Sequence, residues 1–69
     1  MDVIVNGERR QVPDGATVSQ LLQLLQVAPE RVVVELNMTI LKRTQHPATL
    51  LQTGDTVEIV RFVGGGAHG

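Results

Sequence analysis

The chain has 69 residues, the size of one small domain. Six basic residues against seven acidic ones give a net charge of -1, and Phe62 is the single residue of the Phe, Trp and Tyr class. That balance excludes a nucleic-acid binder held mainly by phosphate neutralisation, and it leaves no aromatic platform for stacking bases. Without cysteine there is no disulfide framework, no zinc cluster and no thiol nucleophile.

No apolar run approaches the roughly 20 residues that span a bilayer. Met1-Asp2-Val3-Ile4-Val5-Asn6 shows no basic stretch ahead of a long apolar one, so no secretory signal is expected. A cytoplasmic protein with no membrane partner is the resulting expectation. A domain this small buries only about 60% of its unfolded surface. A deep, enclosed active site is hard to build on so thin a core, which favours binding modules and carriers over enzymes.

Residues 1–6 alternate, with Val3 and Val5 on one side and Asp2 and Ile4 on the other. Asn6-Gly7 is a hairpin signal, because a type I′ turn needs positive φ at both central residues. Glu8 to Val12 is then the returning strand, poor in apolar residues and suited to an exposed edge. Pro13-Asp14-Gly15 ends it with turn chemistry.

Thr17 begins a helix, with Gln20 placed three residues on as in a capping box. Val18, Leu21, Leu22 and Leu25 fall on one stripe of period 3.6. Pro29 stops this helix at the latest. Arg31 to Leu36 reads as a strand that Asn37 breaks, and Thr39 to Leu41 as a short partner. Thr44 to Gln52 has no clean period and is expected to be a loop with a short turn. Thr53-Gly54-Asp55 is a turn, and Thr56 to Val63 is the strongest strand of the chain.

The order is β-β-α-β-β-β, an α+β arrangement in which a mixed sheet of four to five strands packs on one main helix. A ubiquitin-like β-grasp is the most economical fit. It places a domain over residues 1–63 and a flexible glycine-rich tail over 64–69. Pairing the first and last strands in parallel is part of that fold-level expectation.

Catalytic signals are few. His46 and His68 fit no triad and no metal-ligand spacing, and both are expected to be solvated. Glu30, Glu35 and Glu58 fall on different elements and read as solvated surface groups rather than as an acid–base pair. The glycine run precedes no helix, so it is not a phosphate-binding loop.

Gly64-Gly65-Gly66 follows directly on an apolar strand. It reads either as a frayed terminus or linker, or as a reactive arm. A glycine end has no side chains and can thread a narrow channel to present its carboxylate to a bound nucleotide. A carboxylate is a poor electrophile. Its acyl-adenylate has a good leaving group, and a sulfur nucleophile can displace AMP. This chain has no cysteine to supply that sulfur. On the last strand, Val60 points outward if Val57 and Ile59 face the helix, and Phe62 follows it on that side. Such a pair is either a docking patch beside the tail or, for Phe62, a side chain folded back on the core edge.

Several segments taken in order carry a family resemblance. They are Val3-Ile4-Val5-Asn6-Gly7, Thr17-Val18-x-x-Leu21-Leu22, Val34-Glu35-Leu36-Asn37 and Ile40-x-x-Arg43. Gly54-Asp55-x-Val57-Glu58-Ile59-Val60 and Val63-Gly64-Gly65-Gly66 complete the set. The chain resembles the sulfur carrier family of thiamine biosynthesis, the small ubiquitin-like ThiS proteins, over nearly its whole length.

That resemblance implies a cosubstrate rather than a catalyst. The terminal carboxylate would be adenylated by a ubiquitin-activating-like, ThiF-like adenylyltransferase. That partner uses the ATP, and the carrier itself binds no cofactor and no metal. Sulfur from a cysteine desulfurase route would convert the terminus to a thiocarboxylate, delivered to a ThiG-like thiazole synthase. The acceptor diglycine maps onto Gly65 and Gly66, with Gly66 bearing the thiocarboxylate and Gly64 lengthening the arm. Val60 and Phe62 would serve docking. The chain runs on through Ala67-His68-Gly69, and an amide at Gly66 cannot be adenylated, so a protease is expected to remove those residues. The alternatives are Gly69 itself as acceptor, against which the bulk of His68 speaks, or an unprocessed tail on a protein outside the sulfur pathway. Sulfur carriers for molybdopterin, cysteine synthesis or tRNA thiolation share this architecture, and a plain ubiquitin-like interaction module is the alternative without sulfur chemistry.

Overall fold

The computed structural model describes residues 1–62. Val63, the expected acceptor diglycine Gly65 and Gly66, Gly64 and the rest of the tail expected over 64–69 lie outside the described residues. So does His68.

Strands β1 (Asp2–Val5) and β2 (Glu8–Gln11) form an antiparallel hairpin with Val5 opposite Glu8. Asn6 and Gly7 sit at φ 49° and 82°, as the two-residue turn demands. All of β2 is exposed, as expected of an edge strand built from Glu8-Arg9-Arg10-Gln11.

Helix α1 spans Val18–Leu24. Its expected capping box is present: the Gln20 amide N–H donates to the Thr17 hydroxyl at 3.1 Å, and the Thr17 N–H donates to the Gln20 side-chain oxygen at 2.8 Å. The helix ends well before Pro29. Gln26 takes φ 58°, its N–H bonds the carbonyl of Gln23, and the Val27 N–H reaches back to Leu22 at 2.9 Å. This is a Schellman ending with glutamine at the left-handed position, where glycine is usual.

A 3-10 helix at Pro29–Arg31 leads into β3 (Val32–Leu36), so Arg31 belongs to the turn and not to the strand. Asn37 and Met38, at φ 49° and 71°, turn the chain into β4 (Thr39–Leu41). The segment expected to be a loop contains a second 3-10 helix, Arg43–Ala48, with Pro47 inside it. Its start is closed by the Lys42 N–H donating to the Gln45 side chain at 2.8 Å. Strand β5 covers Thr56–Arg61.

The sheet has five strands in the order β2-β1-β5-β3-β4. The last strand thus lies in the middle, parallel to β1 and antiparallel to β3. One face is covered by α1. Val18, Leu21 and Leu22 meet Val3 and Val5 of β1, Val57 of β5 and Val34 of β3 in a single buried cluster. Each such side chain contributes about 1.5–3 kcal/mol when taken fully out of water.

Candidate functional site

The strand that leads toward the glycine segment is held from both sides. On the β3 side its ladder runs the length of β3, pairing Leu36 with Val57 and Val32 with Arg61. The Phe62 N–H then donates to the Arg31 carbonyl at 3.0 Å. On the β1 side the main chain reaches less far. Ile4 N–H donates to Asp55 and Asn6 N–H to Val57, each at 2.9 Å.

Two asparagine side chains extend these contacts. Asn6 donates from its amide nitrogen to the Ile59 carbonyl at 3.2 Å and accepts from the Ile59 N–H at 2.7 Å. Its amide thereby takes the place of one more peptide of β1. Asn37 works at the other end of β5. It accepts from the Thr56 N–H at 2.9 Å and donates to the Asp55 carboxylate at 3.0 Å. Both residues stand at φ 49°, a conformation asparagine tolerates better than most side chains.

Alternation along β5 separates two faces. Val57 is fully buried and Ile59 is half-buried against the core, whereas Val60 is 55% exposed. Phe62 is 61% exposed and does not fold back on the core edge. On the face turned away from α1, Val33 lies opposite Val60, and Ile40 lies opposite Glu35. Ile4 is on the same face of β1. Val33, Val60 and Phe62 thus form a small apolar strip at the end of β5, while Glu58 and Thr56 separate it from Ile4 and Ile40 lies beside Glu35.

Register also brings Glu35 directly opposite Glu58. The two carboxylates were expected on different elements as solvated surface groups, and they do fall on β3 and β5. They share the outer face, and Glu35 is half-buried. The ion pairs among the described residues are the Met1 ammonium with Asp14 and Arg10 with Glu8, so neither glutamate has a cation partner there.

His46 departs from expectation most clearly. It is 2% exposed, not solvated. The second 3-10 helix packs against α1 and turns the ring inward, while Gln45 and Pro47 stay outside. Neither ring nitrogen has a hydrogen-bond partner among the described residues. Burial pushes its pKa below the usual histidine value, and the Arg43 guanidinium pushes it further the same way. It lies on the helix side of the sheet and not with Val60 and Phe62.

No cluster of three metal-ligating side chains occurs among the described residues, and no helix is long and apolar enough to cross a membrane. An open depression lined by Pro13, Ala16, Gln20 and Leu24 includes no residue of β5. The described residues thus bring together a strand gripped from both sides and an apolar strip beside it, with a glycine segment beyond them in the sequence.

The comparisons with known proteins agree with that arrangement. The family model described as "ThiS family" matches residues 3–66. A crystal structure of a thiamine biosynthesis protein (ThiS) from Geobacter metallireducens superposes with a TM-score of 0.83 at 42% identity. The match covers 96% of this chain and 100% of that one, and gives the fold as a ubiquitin-like β-grasp. Thiazole synthases of Magnetococcus marinus and Paramagnetospirillum magneticum are 41% and 37% identical over 99% and 97% of the chain. The chain spans about a fifth of the length of these relatives (21% in each case). With the family model matched over nearly all of its residues, the chain belongs to the ThiS family.

Proposed function

We propose that the chain is the sulfur carrier of thiamine biosynthesis. The observation that carries this reading is the family match itself, which runs from Val3 to Gly66 and so ends on the residue proposed as acceptor. The likeness to a thiamine biosynthesis protein and to segments of two thiazole synthases supports the same pathway.

In this reading Gly66 is the acyl acceptor, reached after removal of Ala67-His68-Gly69. A partner adenylyltransferase joins the Gly66 carboxylate to the α-phosphate of ATP and releases pyrophosphate. Persulfide sulfur from a cysteine desulfurase route is released as sulfide by a dithiol reductant, which becomes a disulfide, and the sulfide attacks the acyl carbon. AMP departs with one carboxylate oxygen, and a thiocarboxylate remains. The carrier holds no cofactor and performs no turnover of its own. A thiazole synthase is the acceptor, and the occurrence of a homologous segment within proteins of that name supports the pairing. Gly64 and Gly65 give the acceptor a side-chain-free approach, and Val60 with Phe62 forms the docking strip beside it. The protein acts in the cytoplasm.

The test is the intact mass of the protein recovered from its own host under thiamine starvation. A species ending at Gly66 with one oxygen replaced by sulfur is the expected result. A chain that stays whole to Gly69 while the activating enzyme and thiazole synthase are expressed would overturn the reading.

A further inference from the structure

We propose that Asn6 is a positioning residue for the acceptor end, carrying the two-sided hold on β5 from Val57 as far as Ile59. This rests on the carrier reading above and adds a residue to it.

The argument starts from the parity of β5. Asp55 and Val57 turn their carbonyls to β1, and Ile59 turns both its N–H and its carbonyl to the Asn6 side chain. Thr56 and Phe62 bond toward the β3 side. Main-chain pairing with β1 stops with the Val57 carbonyl, because the chain turns at Asn6-Gly7 into the hairpin. Without the Asn6 amide, β5 would be held on the β3 side alone from Glu58 onward. With it, the two-sided grip reaches Ile59, three residues short of Phe62. A strand held on two sides has a fixed direction, and one held on a single edge pivots about that ladder. A terminus that must reach a reacting nucleotide pays heavily for a misplacement of about 1 Å, on the order of 100-fold in rate.

The second asparagine supplies the control. Asn37 has the same φ and also caps a β5 peptide through its side chain, but it does so at Thr56, the end remote from the tail. Glycine at either site accepts the positive φ and deletes the amide. N6G and N37G therefore remove comparable hydrogen bonds from opposite ends of one strand.

The experiment measures two quantities in full-length chains expressed in the native host lacking its own copy. One is hydrogen exchange at the Ile59 amide in purified protein. The other is the fraction of chains carrying sulfur, read by intact mass, a ratio that loss of abundance alone does not move. N6G is expected to speed Ile59 exchange by about fivefold or more, the worth of about one net hydrogen bond. Its sulfur-loaded fraction should fall by a similar factor during the initial rise. N37G should leave the loaded fraction at the wild-type level. N6D keeps the acceptor for the Ile59 N–H and loses the donor to its carbonyl, so it should fall between N6G and wild type. It also serves if N6G does not accumulate.

Equal loading of wild type and N6G would overturn the inference, as would equal losses in N6G and N37G. If the wild-type chain itself never carries sulfur, the carrier reading fails, and this inference fails with it. A loaded wild type with an unaffected N6G removes only the role of Asn6.

Discussion

Replacing His46 by leucine is expected to stabilise the protein and to remove part of its acid sensitivity. The ring is 2% exposed and neither nitrogen finds a partner among the described residues. A neutral imidazole buries one donor and one acceptor, and each unsatisfied group costs about 1–3 kcal/mol. Leucine has similar volume and no polar atoms, although its different shape gives back up to about 1.5 kcal/mol. A net gain of about 1–2 kcal/mol follows from these opposing terms. In a domain this small each kcal/mol raises Tm by about 4–8 °C.

The pH dependence has a definite sign. His46 is a base whose pKa is lowered in the folded chain, first by burial and then by Arg43. As pH falls below the unfolded value of 6.5 the unfolded chain takes up the proton before the folded one does. The stability associated with the neutral ring is therefore complete above that pH. It falls as pH drops below it, by up to about 1.4 kcal/mol per unit, until the folded pKa is passed. Urea midpoints at about pH 5 and about pH 8, taken for wild type and His46→Leu, isolate this contribution. The carboxylates and His68 are common to both chains and cancel. His46→Gln separates the two effects, because it loses the titration and keeps a buried polar group. Parallel pH profiles for wild type and His46→Leu would refute the reasoning.

Two further predictions concern stability. Leu21 is fully buried where α1 meets the sheet, so Leu21→Ala should cost about 3 kcal/mol. Urea unfolding reads this directly, and a loss below about 1 kcal/mol would show that the core is not packed around that side chain. Glu58→Lys should stabilise the chain by about 0.5 kcal/mol, because it turns the like-charge pair with Glu35 into an opposite one. A destabilised variant, or a gain that survives high salt unchanged, would contradict the cross-strand assignment.

Much of this architecture is local and was legible in the residues. Asn6-Gly7 specified the first turn, Thr17 with Gln20 the helix start, and the Val18, Leu21, Leu22 stripe the buried face. The parts that escaped are the ones decided by tertiary contact. Gln26 gives no stop signal, and the helix ends there because Val27 and Leu22 close a Schellman bond. Met38 in the left-handed region gives no turn signal of the usual Asn-Gly kind. His46 sits in a polar, proline-containing stretch, and its burial follows only from the packing of that stretch on α1. The facing of Glu35 and Glu58 needs the β3–β5 register, which no periodicity contains. At the candidate site, Val60 and Phe62 could be placed on the outer face by alternation. The Asn6 contact with Ile59 could not, since it joins residues separated by 53 positions. A signal was present only in hindsight, in an asparagine at a turn that lies beside the last strand.

The central position of β5 has a mechanical consequence. A partner that draws on the chain beyond Phe62 applies tension along a strand with ladders on both flanks. Tension along the strand axis loads those bonds in shear, so that many must yield together. Peeling an edge strand such as β2 would break them in succession. Under force, survival is governed by the unfolding rate, and shear loading keeps that rate low. A pull on β5 from beyond Phe62 therefore meets the whole β3 ladder in shear and the shorter β1 pairing behind it, a firmer hold than the single ladder of β2.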